Sequence, residues 1–161
     1  MRSEGNEHHL EPAESPAAAR LPNPGLRPST PAGPAVSGSM ILVAGPYRSG
    51  TGDDPLLMAQ NLRRLERAAL PLFRAGHLPV IGEWLALPLL RAAGGTLDDP
   101  VAATIMYPTA RRLIERCDAV LRLAGESRGA DLDVAQARER GIPVYHDLIE
   151  IPGQTVIPGP A

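Results

Sequence analysis

A single cysteine, Cys117, occurs in the 161 residues, so no disulfide can close within the chain and burial must hold its fold together. The same cysteine usage fits a reducing compartment, and a cytoplasmic location is expected. No apolar run reaches the roughly 18 residues of a spanning helix, so no membrane partner is expected. The basic residues are arginines, 16 against 18 acids for a net charge of -2. They are spread along the chain without the dense stripe that a duplex-binding surface needs, which argues against nucleic acid as a partner. Histidines are few: His8 and His9 lie near the N-terminus, and His146 is isolated. They complete no zinc site, and no metal or cofactor is expected. The N-terminal segment lacks the apolar stretch of a targeting peptide and carries Glu4, Glu7, Glu11 and Glu14.

Residues 1–39 are instead rich in Pro, Ser, Ala and Gly, in runs such as Pro22-Asn23-Pro24-Gly25. Too little apolar surface is present to offset the entropy of ordering, so a disordered tail is expected there. From Met40 the pattern changes. Met40-Ile41-Leu42-Val43-Ala44, stopped by Gly45-Pro46, reads as a buried parallel strand. Leu62, Leu65, Ala69 and Leu72 at helical spacing predict an amphipathic helix over about 56–75, ended by Gly76 and kinked or broken at Pro71. Further elements follow in alternation. They are a strand at 78–81, a helix over 83–93 stopped by Gly94-Gly95, a loop at 96–103 and a helix over 104–116. A strand at 118–123, a helix over 130–140 and a strand at 142–145 complete the series. Strands alternating with helical crossovers predict one α/β domain over 40–150. The expected architecture is a Rossmann-like, flavodoxin-like three-layer sandwich on a four- to five-stranded parallel sheet. Residues 151–161, with Pro152, Gly153, Pro158 and Pro160, are expected to form a flexible tail.

Two loops carry the chemistry. Gly45-Pro46-Tyr47-Arg48-Ser49-Gly50-Thr51-Gly52 follows the first strand, at the sheet edge where open α/β folds bind ligands. Glycines let backbone amides approach an anion, and Arg48 offers a planar charged fork for phosphate or carboxylate. The loop lacks the lysine of a P-loop and the GxGxxG spacing of a dinucleotide fingerprint. Read blandly, it is a turn with a solvated arginine. The second loop, Ser127-Arg128-Gly129, opens a helix that carries Asp131 and Asp133. Ser127 suits either a helix cap or a ligand donor. An acid near a helix start is held as a carboxylate by the dipole, which serves a nucleophile and equally serves helix stability alone. Asp131 and Asp133 stand roughly 200° apart around a helix, so only one can point into a pocket. Both flank the apolar line Ala130, Val134, Ala137, so periodicity does not choose.

These two loops, with Gly76-His77 closing the first helix and Cys117-Asp118 opening the third strand, resemble the nucleoside 2-deoxyribosyltransferase superfamily over about residues 40–146. They are similar also to the 2-deoxynucleoside 5-monophosphate N-glycosidases, whose first loop carries an arginine between glycines. The resemblance implies an N-glycosidase or deoxyribosyltransferase acting on a nucleoside or nucleoside 5-monophosphate, without a metal. In that superfamily an acid six positions after the serine, normally glutamate, attacks the anomeric carbon. Here that position is Asp133, one methylene shorter, and a misplacement on that scale costs about a hundredfold in rate. Asp131 therefore remains the reserve nucleophile. The resemblance implies that Gly45, Pro46, Arg48, Ser49, Gly50, Ser127 and Gly129 hold the 5-hydroxyl or 5-phosphate. It further implies that Tyr47 lies against the sugar or assists the leaving base. Asp118 matches an acid that positions substrate, or it only terminates the preceding helix. Self-association is implied as well, as a homodimer or larger oligomer, and the leucine-rich helix 85–93 offers a contact surface.

Other residues divide between site and scaffold. Glu83 and Trp84 are candidates for the rim of the base pocket, with Trp84 alternatively in the core. Asn61 is placed to reach the first loop, His77 to satisfy carbonyls at a helix end, and Cys117 to pack inertly. Two competing functions remain open: a non-catalytic nucleotide-binding or sensor domain, favoured by the aspartate in place of glutamate, and an interaction module acting through the N-terminal tail.

Overall fold

The computed structural model describes residues 38–153, so the expected N-terminal tail and most of the expected C-terminal tail lie outside the described residues. The elements in chain order are β1 (Met40–Ala44), α1 (Pro55–Arg74), β2 (Leu78–Val80), α2 (Gly82–Ala92), α3 (Pro100–Ile114), β3 (Ala119–Arg122), α4 (Arg128–Glu139) and β4 (Val144–Tyr145), followed by a 3-10 turn at Leu148–Glu150. The strands form one parallel sheet in the order β2-β1-β3-β4. This is the flavodoxin-like α/β order, with four strands among the described residues.

The pleat divides the core in two. Ile41 and Val43 of β1, with Ala119 and Leu121 of β3, meet Leu65, Ala69 and Leu72 of α1 on one face. Leu42, Ala44 and Val120 meet Ile114, Cys117, Ala130 and Ala137 on the other, beneath α3 and α4. β1 and β3 are buried on both faces, which is why they read as unbroken apolar runs rather than as an alternation.

Three boundaries differ from the expectation, each for a local reason. α1 passes through Pro71 without breaking. Pro71 stands in the helix's final turns, and the carbonyl that loses its partner belongs to Arg67, an exposed residue that water reaches. α3 begins at Pro100 behind Asp99 rather than at 104, so part of the expected loop is helix. Proline is tolerated at that first position because the amide it lacks has no helical partner there. At the chain ends, Gly38 and Ser39 belong to the fold rather than to a tail. The Gly38 amide donates to the Gly76 carbonyl at 2.8 Å, and the Leu78 amide donates to the Ser39 carbonyl at 2.8 Å.

Ile151 likewise is not tail: it is 1% exposed and packs in the α1 side of the core. The Pro152 carbonyl lies 3.3 Å from Nε2 of the buried His77. His77 thus satisfies a carbonyl, but one from the C-terminal segment rather than from α1. Ile151→Ala is expected to lower stability by about 2–4 kcal/mol in urea unfolding. Ile149→Ala, at a side chain 68% exposed, should change it by less than about 0.5 kcal/mol.

Candidate functional site

The sheet order reverses direction between β1 and β3, and doubly wound sheets leave a crevice beyond the carboxyl ends of the strands at such a point. Here the crevice is a cavity of about 460 Å³, within the range of small-molecule sites. The end of β1 and its loop form one wall, the first turn of α2 a second, and the start of α4 a third. α3 closes the remaining side with Ala102, Met106 and Ala110, spaced four apart on one face. Alanines on that face leave the space open.

The two walls that matter most meet at Gly45. A Cβ there would stand 2.9 Å from Cδ2 of Leu65 and 3.2 Å from Cβ of Leu123, so the chain leaves β1 close against α1 and the end of β3, and a side chain there would push both aside. Ser127 caps α4, its Oγ accepting from the Ala130 amide at 3.2 Å and lying 3.5 Å from the Gly45 carbonyl. Of the two roles considered for Ser127, it performs the cap. The loop after Tyr47 is held by Thr51, which is buried and donates its hydroxyl to the Arg48 carbonyl at 2.6 Å. Asn61 reaches it from α1 as expected, donating to the Tyr47 carbonyl at 2.9 Å.

Asp133 lies in the cavity wall and Asp131 does not. Their separation around α4 turns Asp131 away, and its carboxylate takes the Arg122 guanidinium at 2.8 Å. Burial pushes the Asp133 carboxyl up to about 7, the negative charge of Glu83 adding to the rise and Arg122 opposing it. Glu83, in the first turn of α2, lines the same cavity, and burial raises its carboxyl too. The half-buried Tyr47 phenol is raised by burial and by Glu83. The site therefore contains two carboxyls in a mainly apolar enclosure, with a phenol within range of the Glu83 charge.

Several expected site residues take other roles. Pro46 is buried and packs where a Cβ on Gly125 would stand 2.8 Å from its Cγ, so it shapes the loop without lining the cavity. Gly50, with φ +73°, serves an exposed turn. Asp118 sits at the opposite end of β3 and accepts from the Met40 amide at 2.8 Å, joining the starts of β1 and β3. Arg48 lines the cavity, but its guanidinium is held by Asp53, by Asp98 and by the Leu97 carbonyl. It ties the first loop to the α2–α3 connection instead of presenting a free anion fork. Ser49 and Gly129 do line the cavity, and beside them stands Arg128, which no pattern in the sequence marks out. Burial pushes the Cys117 thiol up to about 12, which makes it unreactive packing. Trp84 neither rims the cavity nor enters the core: it is exposed, and its Nε1 donates to Glu66 at 3.2 Å.

Comparison with models of known families and with curated proteins gives no match to this chain.

The raised Asp133 carboxyl has a consequence for stability. Between its unfolded value near 3.8 and about 7, the native state holds a proton that the unfolded chain releases, so this group lowers stability as pH rises through that window. Asp133→Asn removes the dependence. In urea unfolding the variant should match wild type near pH 4 and exceed it above pH 7 by an amount on the order of 3 kcal/mol.

Proposed function

We propose that the protein cleaves the N-glycosidic bond of a nucleoside or nucleoside 5-monophosphate, as an N-glycosidase or deoxyribosyltransferase, with Asp133 as nucleophile and Glu83 as proton donor. One observation carries the reading: Asp133 and Glu83 share the cavity at the switch point of the sheet, and the charge of Glu83 raises Asp133. Burial raises both carboxyls, and of two interacting carboxyls in one cavity one keeps a proton while the other is ionised. The nucleophile is the ionised form of Asp133, which the charge of Arg122 favours while burial and the charge of Glu83 oppose it, so the reactive form, with the proton on Glu83, is the minor one of the pair.

In the first step an Asp133 oxygen bonds to the anomeric carbon through an oxocarbenium-like transition state. The bond to the base breaks, its electron pair goes to the base nitrogen, and Glu83 delivers the proton. In the second, the Glu83 carboxylate takes a proton from water as the water oxygen bonds to the anomeric carbon, which frees the sugar and restores Asp133. A second base in place of water gives transfer. Tyr47 lies against the sugar. A 5-phosphate finds the start of α4, where Arg128, Ser127 and Gly129 present a positive helix end. This support for the superfamily resemblance rests on Asp133, at the position six after Ser127, rather than on Arg48.

Self-association belongs to the same reading. α2, which supplies Glu83, exposes Leu85 and Leu89. The competing sensor function draws on the shorter reach of aspartate.

The test is base release, followed by chromatography, from deoxy- and ribonucleosides and their 5-monophosphates. Asp133→Ala should lose at least about a thousandfold in kcat, and Glu83→Gln about 100- to 10,000-fold. Asp131→Ala should stay within about tenfold of wild type. Ligand-induced stabilisation of the wild type without base release would replace the glycosidase reading with the sensor.

A further inference from the structure

A second cavity, about 490 Å³, lies along the Asp131 side of α4, beyond the carboxyl ends of β3 and β4. Asp131, Val134, Ala135 and Arg138 contribute from one helix face, at i, i+3, i+4 and i+7. Arg122 comes from the last position of β3, Ala124 and Gly125 from the loop after it, and His146 from just past β4.

Arg122 is the unusual member. Its side chain is only 10% exposed, at a strand position whose neighbours are all apolar. A buried guanidinium is costly unless it is paired. It donates to the Leu123 carbonyl, to the Gly125 carbonyl at 2.9 Å and to Asp131 at 2.8 Å, so the guanidinium is held rigidly by backbone on one side. Its one acidic partner, Asp131, is 68% exposed and is the movable half of the pair. Arg138 and His146 are exposed, and among the described residues neither side chain has a hydrogen-bond or ion-pair partner. Two arginines and an imidazole thus surround a cavity that holds one carboxylate. The remaining lining, Ala124, Val134 and Ala135, is apolar.

We propose that this cavity is an oxyanion site, separate from the Asp133 cavity, that takes the carboxylate or phosphate of a small organic molecule. The oxyanion sits on the Arg122 fork between Arg138 and His146, in the place that the Asp131 carboxylate holds, and Asp131 swings into solvent. A planar guanidinium fixed by two carbonyls is preorganised for such an exchange, because little of its freedom is left to lose. The apolar walls accept the carbon body attached to the anion. Asp131 is then an internal competitor, which makes the site distinguishable from a merely basic surface: removing its charge must strengthen binding.

The experiment is a titration of the full-length protein with inorganic phosphate and, separately, acetate, followed by amide NMR at constant ionic strength. Saturable shifts are expected at Ala135, Arg138 and His146 with one or both probes, and the preferred probe identifies the anion type. Arg138→Ala should weaken binding about tenfold, and Asp131→Asn should tighten it about threefold. Arg128→Ala, which alters the first cavity, should leave it unchanged. Opposite effects from two exposed positions cannot arise from loss of fold. Shifts that never saturate, that fall on Ser127 and Gly129 instead, or that are not strengthened by Asp131→Asn would overturn the proposal.

Discussion

Where the chain leaves β1 at Gly45, the start of α4 comes against it, and the whole site depends on that close approach. Ser127 caps the helix there, with its Oγ 3.5 Å from the Gly45 carbonyl, and Gly45 itself packs close to Leu65 of α1 and to Leu123. Once α4 begins there, Asp133 stands in its second turn, facing the crevice. α2, which starts directly after the neighbouring strand β2, brings Glu83 to the same space. α3 then determines how much of that space stays empty, through alanines where larger side chains would fill it.

Electrostatics follow from that packing. Two carboxyls held together in a poorly solvated cavity cannot both ionise at low cost, so the proton that one retains is a property of the pair. Arg122 is the counterweight. It lies beneath α4, bound to Asp131 on one side and biasing Asp133 toward the carboxylate on the other. The aspartate that the sequence left in competition for the nucleophile's role is the one that neutralises this arginine.

The α/β alternation, the apolar strands and the cap at Ser127 were legible because each is written in adjacent residues. The choice between Asp131 and Asp133 was not, since both border the line Ala130, Val134, Ala137. What separates them is Arg122, nine residues before Asp131 in the chain and brought to it by the packing of α4 on β3. The pairing of Arg48 was hidden for the same reason. Asp98, fifty residues away, holds its guanidinium, and no local pattern reports that pairing. Glu83 was visible only as a possible rim residue, although an acid in the first turn after a strand lies at the ligand edge of any doubly wound sheet. Asp118 was drawn to the site by resemblance, yet it opens β3 and so lies at the far edge of the sheet. Pro71 and Pro100 show the limits of proline as punctuation: at a helix's last turns or its first position, the missing amide costs little.

The central claim is that Asp133 and Glu83 form one coupled pair in the cavity. Carbon-13 NMR of their carboxyl carbons across pH 3–9 measures this directly. The account predicts that Asp133 titrates near 7 and moves downward in Glu83→Gln, where the neighbouring charge is gone. Asp133 titrating near 4, the ordinary value for an aspartate, and unmoved by Glu83→Gln would contradict it.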